Sequence, residues 1–394
     1  MPAIEEYFIK KNKLCSFFGY LKYRPLFFLR PRFYEAIFHT YLKPLFSYKK
    51  PIIKNNTFIV WEPCTESHSE VVPGYAKYLL DLGYHVSVCV NPKRYKEGLF
   101  SRFNLENENI SLNKLNKKEV RKFFKKDSLE NVAGVLVTTV GKLCDEIHYQ
   151  DSYNAFNENV DKSKIFFVEH EAKFAIDNGT WDEKLITLRK LNYKDAKSVV
   201  VNPHYFGDVE ITPKNNDITN FITIGAIRTK RKNVNLFVQA AEELIEKGVK
   251  NFKITVIGKG KISDFPKKLQ PYFCIKGRLG FADMYKEIEK ADFMLTSYQL
   301  PNHIRYNTTG TSGNFQLVYG FLKPIIIKDS FAEINGFTND NSVIYKDDKD
   351  FADTLIKCIN MTSAEYKNLQ DNLSNYQQEL AKSSLENLKE LING

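Results

Sequence analysis

The sequence predicts two doubly wound α/β domains in tandem, each a parallel sheet with helices on both faces, and a cleft between them. Three observations carry that expectation. Short apolar, β-branched runs alternate with longer segments of helical period, the rhythm of a parallel sheet covered on both sides. The rhythm stops at the polar stretch TPKNNDITN (212–220) and then restarts. The chain has 394 residues, too many for one ordinary core and suited to two domains.

In the first half, TFIVW (57–61) reads as a buried strand and PGYAKYLLDLG (73–83) as the helix after it. Pro73 suits the first helical position, Tyr75, Tyr78, Leu79 and Leu82 share a face, and Gly83 is a natural stop. HVSVCV (85–90), AGVLVTTV (133–140), KIFFVEH (164–170) and KSVVVN (197–202) continue the strand series. In the second half, FITIGAI (221–227), FKITVIGKG (252–260), DFMLTS (292–297) and KPIIIK (323–328) are strands. NVNLFVQAAEELIEKG (233–248), ADMYKEIEKA (282–291) and NFQLVYGFL (314–322) are the helices between them. The reading divides the chain into a basic extension (1–54), a first domain (55–211), a second domain (212–362) and C-terminal helices (363–394) that pack back toward the first domain.

The formal charge of +10 is concentrated at one end. Residues 1–54 hold eleven Lys or Arg against three Glu, and the rest of the chain is close to neutral. The segment FFGYLKYRPLFFLRPRFYEAIFHTYLKPLF (17–46) interleaves aromatics with cations, a mixture that suits an anionic membrane surface and equally a helical extension packed on the body. Nothing else in the chain supports a nucleic-acid partner. No apolar run reaches the length of a membrane span, and the N-terminus lacks the apolar core of a secretory signal. The six cysteines are scattered, without CxxC or a Cys/His cluster, and read as free thiols of a cytoplasmic protein with no metal centre.

In doubly wound sheets ligands sit beyond the carboxyl ends of the strands, so the residues there are the candidates. NTTGTSGN (307–314) follows one strand and feeds a helix. Gly310 and Gly313 let a ligand approach the backbone, helix-start N–H groups bind anions, and Thr308, Thr309, Thr311 and Ser312 add hydroxyls. No Asp or Glu occurs from Phe293 to Lys328, while His303 and Arg305 lie nearby, which favours an anionic ligand over a plain helix cap. GAIRTKRKN (225–233) places Arg228, Lys230, Arg231 and Lys232 after another strand, suited to a diphosphate. Gly258 and Gly260 stand at an equivalent strand end. Neither GxGxxG nor GxxxxGK[ST] is present. From the first domain, EPCTESHSEVV (62–72) brings Glu66, His68 and Glu70, and VEHEAKF (168–174) brings His170, as general-base candidates. Glu70 also stands in capping-box register with Ser67. The D-x-D within DDKD (347–350) precedes a helix and reads as a cap, not a metal site.

The succession FITIGAIRTKRKNVNLFVQAAEELIEKG, FKITVIGKG, CIKGRLGFADMYKEIEKADFMLTSY and TSGNFQLVYGFLKPIII resembles the donor-binding half of glycosyltransferases with the two-domain B-type (GT-B) fold, whose domains are Rossmann-like. ESHSEVVPGYAKYLLDLGYHVSV is similar to their acceptor half. The resemblance covers about residues 57–360 and has no single diagnostic signature. It implies that Gly225, Arg228 and Lys232 meet a donor diphosphate, and that Thr311, Ser312, Gly313 and Asn314 meet its phosphates or sugar. Many retaining members carry a pair of glutamates around the last donor loop. The carboxylate-free stretch excludes that pair, with Gln316 or Leu317 near where the second would lie, and this favours an inverting mechanism; members of the fold usually need no metal, so the resemblance implies metal independence. The implied function is transfer of a sugar from a nucleotide-sugar donor to a glycan or lipid-linked acceptor in surface polysaccharide or lipopolysaccharide assembly, at the inner face of a membrane and without a further cofactor. A sugar-nucleotide epimerase of the same architecture and a non-catalytic scaffold are the alternatives.

Overall fold

The structure, a computed structural model, describes residues 50–394 apart from 64–67, 107–108, 127–128, 130–131, 141–159, 228–233, 261 and 263–264. The expectations for residues 1–49, Glu66, Ser67, Arg228, Lys230, Arg231 and Lys232 therefore lie outside the described residues.

Two all-parallel sheets form the frame. The first contains β1 (Thr57–Trp61), β2 (His85–Val90), β3 (Ile110–Lys114), β4 (Val132–Val140), β5 (Ile165–Glu169), β6 (Ile186–Thr187) and β7 (Val199–Val200), in the order β3-β2-β1-β4-β5-β6-β7. The second contains β8 (Thr219–Ile224), β9 (Phe252–Ile257), β10 (Phe273–Gly277), β11 (Phe293–Leu295), β12 (Ile325–Lys328) and β13 (Val343–Tyr345), in the order β10-β9-β8-β11-β12-β13. In each sheet the chain builds outward in one direction and then returns to the other side of its first strand. The crevices opened by that reversal lie beyond the ends of β1 and β4, and of β8 and β11.

The central strands are buried along their length, as parallel strands covered on both faces must be: all five residues of β1 and all six of β2 are buried. Helix α1 (Val72–Asp81) begins one residue before Pro73 and turns Tyr75, Ala76 and Leu79 onto β1 and β2. It stops at Gly83, whose φ of 86° closes the turn. The short α2 (Pro92–Lys96), α3 (Lys117–Lys126) and α4 (Lys173–Asp177) complete the helices named here in the first domain. In the second domain, α5 (Val234–Glu246) and α9 (Phe351–Asn360) cover one face, where Phe237 lies 5.7 Å from Phe351 and Phe221 stacks on Phe293. Helices α6 (Phe281–Lys290), α7 (Gly313–Phe321) and α8 (Asp329–Ala332) lie toward the other. Asp347, just before the D-x-D, and Asp350 within it form a reciprocal capping box ahead of α9.

The C-terminal segment is a single helix, α10 (Ser363–Asn393), not the several helices expected. Its 31 residues contain no Gly or Pro to break it, and the Thr362/Glu365 capping box fixes its start. Its beginning buries Tyr366 and Leu369 in the second-domain core, and its end inserts Leu388 into the first-domain core. Ser384 Oγ accepts the Asn202 N–H at 3.0 Å, and Asn387 donates to the Val200 carbonyl at 2.9 Å. Among the described residues no helix is long and apolar enough to cross a membrane.

Candidate functional site

On the first-domain side, the ends of β1, β4 and β5 assemble a polar cluster. Glu62 leaves β1 buried and accepts the hydroxyls of Thr138 and Thr139 at 2.7 and 2.8 Å. His170 follows β5, and its Nε2 lies 2.7 Å from the Thr138 carbonyl. A carbonyl only accepts, so Nε2 carries the proton and Nδ1 is left as a base. His68, in the left-handed region at φ 65°, packs its ring 4.2 Å from that of His170. Burial lowers both histidines. His68 falls to about 4, with Arg305 adding to the effect, and both are neutral imidazoles at pH 7. Burial has the opposite effect on the acids. It raises the Glu70 carboxyl and lifts Glu169 to about 7.

On the second-domain side, a cavity of about 340 Å³ opens beyond β8 and β11. Gly225, Arg305, Tyr306, Ser312, Gly313 and Asn314 line it, with Ile224, Ala226, Phe281, Met284 and Leu317 as its apolar wall. Glu70 reaches in from the first domain. The N-terminus of α7 is shaped by Ser312, whose Oγ accepts the Asn314 N–H at 3.4 Å and shares a 2.6 Å hydrogen bond with the Tyr298 hydroxyl. Gly225 adopts φ 130°, a conformation that suits glycine. Gly258 does not line the cavity. A Cβ on Gly258 would fall 1.8 Å from the Gly225 carbonyl oxygen, so its missing side chain is what lets the ends of β8 and β9 touch.

The loop between β11 and α7 is tied to the first domain. The Ala172 N–H bonds the Thr309 carbonyl at 2.9 Å, and the Asn192 N–H bonds the Thr308 carbonyl at 3.0 Å. Arg189 Nε donates to the Gly310 carbonyl at 2.8 Å, and Thr309 Oγ1 donates to Glu171 at 2.5 Å. Arg305 lies 4.0 Å from Glu171. A second seam joins Arg102 to Glu289, and the Ala282 N–H at the start of α6 to the Glu97 carbonyl. The cavity lies between elements that these contacts hold together.

The structure thus brings His68, Glu70 and His170 together, and it places Gly225, Ser312, Gly313 and Asn314 on the cavity. Thr309 and Gly310 serve the seam, and Thr311 is partly buried beside it. His303 is buried away from the cavity, with Nδ1 3.0 Å from the Gln299 nitrogen and its ring stacked on Tyr306; Arg305 is the cation that reaches the cavity. Gln316 is fully buried, and neither amide atom has a hydrogen-bond partner among the described residues. Sequence reasoning missed Glu171, Arg189, Thr138 and Thr139. Glu171 stood within the His/Glu cluster VEHEAKF and was open to notice, whereas no local pattern marked Arg189. Among the described residues no group of three His, Cys, Asp or Glu could hold a metal ion.

The arrangement can do two things chemically. Neutral imidazoles can accept a proton, and a guanidinium beside a helix N-terminus can hold phosphate oxygens.

No family model and no curated protein matches the sequence. Solved structures do. An α-glucosyltransferase in complex with UDP and a 13-mer DNA containing a HMU base is similar over 86% of this chain and 100% of its own, with TM-score 0.52 and 11% identity. WaaG, a glycosyltransferase involved in lipopolysaccharide biosynthesis, aligns over 86% of this chain and 99% of its own, with TM-score 0.48 and 13% identity. TarM aligns over 71% of this chain, which spans 59% of TarM's length, with TM-score 0.47 and 14% identity. The first of these likenesses, together with the two parallel sheets, shows that the chain has the two-domain B-type glycosyltransferase fold.

Proposed function

We propose that the protein is a glycosyltransferase that takes a sugar from a nucleotide-sugar donor, with inversion, onto a hydroxyl of a glycan or lipid-linked acceptor. One observation carries the reading. A cavity with a guanidinium and a helix N-terminus on its second-domain wall is lined from the first domain by Glu70, which belongs to a cluster with the neutral imidazoles of His68 and His170. The solved structure with TM-score 0.52 is an α-glucosyltransferase in complex with UDP, which supports a nucleotide-sugar donor.

In this reading Arg305, the α7 N-terminus and the Gly225 backbone hold the diphosphate. Arg228 and Lys232, which follow β8 in the sequence, would add to them. The acceptor oxygen attacks the anomeric carbon as an imidazole of the His68/His170 pair takes its proton. The bond from that carbon to the phosphate oxygen breaks, and the nucleoside diphosphate leaves with the electron pair. Leu317, which with Gln316 falls near where the resemblance would place the retaining members' second carboxylate, lines the cavity, and Glu70, the acid among the described lining residues, comes from the first domain. Both features favour inversion. The proposed acceptor belongs to surface polysaccharide or lipopolysaccharide assembly, reached from the cytoplasmic side of a membrane through residues 1–50. If residues 1–50 provide that contact, deleting them abolishes sedimentation with anionic vesicles.

The test is product analysis by mass spectrometry after incubation with nucleotide sugars, with and without candidate acceptors. Transfer with anomeric inversion, lost in His68→Gln, is expected. Conversion of the donor sugar without an acceptor would indicate an epimerase and refute the reading.

A further inference from the structure

We propose that donor binding at this site takes up a proton and that Glu70 receives it: its carboxyl stands where a donor phosphate must come to reach the N-terminus of α7, and it meets that phosphate as a neutral hydrogen-bond donor. The inference rests on the transferase reading above.

The geometry is direct. Gly313 is the first residue of α7, and a Cβ built on it would lie 2.8 Å from Glu70 Oε1, so the carboxyl rests against the start of the helix. The first-turn N–H groups of a helix have no intrahelical partner and attract an anion. In this closed arrangement the protein's own carboxyl occupies that place. Glu70 also lines the cavity beside Ser312 and Asn314, so a diphosphate seated there would touch it.

The charges around Glu70 set its response to a donor. From its own domain, a backbone hydrogen bond and the charge of Arg94 favour its ionised form, while His170, stacked against His68, is uncharged at pH 7. From the second domain, the Tyr285 phenol of α6 faces it, and Arg305 lines the same cavity. Among the described lining residues Arg305 is the single cation and Glu70 the single acid. A donor diphosphate adds negative charge against this acid in a partly enclosed space. Burial already raises the Glu70 carboxyl above its ordinary range, so protonation is the easier relief of the repulsion. A protonated carboxyl can then donate to a phosphate oxygen and help the diphosphate depart.

The experiment is isothermal titration calorimetry of the intact chain and of Glu70→Gln and Glu70→Ala. UDP-glucose, ADP-glucose and GDP-mannose serve as probes, because their diphosphates are diesters without a titration near neutrality. Each titration is run in two buffers of different ionisation enthalpy. For the probe that binds, the wild type is expected to take up a substantial fraction of a proton, up to about one, with affinity rising by up to tenfold per pH unit as pH falls through the range in which the carboxyl takes up its proton. Both variants are expected to bind at least as tightly at pH 8, with no proton uptake and a flat pH dependence. Wild-type binding without proton uptake overturns the inference and leaves the transferase reading standing; it means that the carboxyl is already neutral before the donor arrives or swings aside still charged. Uptake that persists in both variants assigns the proton to another group and also overturns it. If no probe binds wild type or variant, the donor site itself falls, and the inference with it.

Discussion

Replacing Thr309 by Val removes one hydroxyl from the seam between the domains and is expected to loosen the backbone bonds beside it. Thr309 is buried, and its Oγ1 donates to Glu171 across the seam at 2.5 Å. Valine keeps the shape and removes the donor, leaving the Glu171 carboxylate one partner short. A hydrogen bond to a charged group contributes about 1.5–3 kcal/mol, and each 1.4 kcal/mol is a factor of about ten in an opening equilibrium. The expected change is therefore a roughly ten- to hundredfold loss of protection where the seam opens. The reporters are the Ala172 and Asn192 amides, which bond the Thr309 and Thr308 carbonyls. Hydrogen exchange read by mass spectrometry tracks both, and peptides from β9 and β12, inside the second sheet, serve as the reference. Faster exchange confined to the seam supports the account. Unchanged exchange at Ala172 and Asn192, or an equal rise throughout the second domain, would refute the view that the hydroxyl holds the seam.

Three further predictions concern single side chains. Gly258→Ala forces its Cβ against the Gly225 carbonyl and should lower second-domain stability by about 1–3 kcal/mol, with weaker nucleotide binding, since Gly225 lines the cavity; a thermal melt matching wild type would contradict it. Lys323 is fully buried, donates to Thr212 and to the Glu289 carbonyl at 2.8 Å each, and burial lowers it from 10.5 to about 8. The unfolded chain then binds more protons between those values, so wild type gains about 3 kcal/mol over Lys323→Met as pH rises from about 8 to 10.5; a gap between their unfolding curves that is constant with pH would be the opposing result. If His68 is the base, its acid limb lies near 4, so kcat is flat from about pH 6 to 8 and falls about 10²–10⁴-fold in His68→Gln; a limb at the ordinary histidine value of 6.5 would assign the role elsewhere.

The parts of the fold that were legible are those buried on both faces. β1, β2 and β12 are near-continuous apolar runs because helices cover both sides of them, and a short run of that kind between turn residues suits little else. β3, β6, β10 and the three-residue β13 went unread. β3 and β10 are edge strands, and ISLNK and FCIKG carry polar or exposed residues because one flank meets water. β6 is two residues long and gives no period at all. The same contrast holds in the site. The carboxylate-free loop pointed to an anion, and an acid does stand at the start of α7, but it is Glu70 from the other domain. Only the docking of the two domains brings residues 70 and 313 together, and likewise Arg189 and Gly310, and no local pattern encodes that docking.

A crystal structure of the intact chain with the nucleotide sugar it binds tests the central claim most directly. The account predicts a diphosphate in the cavity between Gly225 and Gly313, within hydrogen-bonding distance of Arg305, with the anomeric carbon turned toward His68 and His170. A nucleotide bound outside that cavity, or one whose sugar faces away from the two histidines, would contradict it.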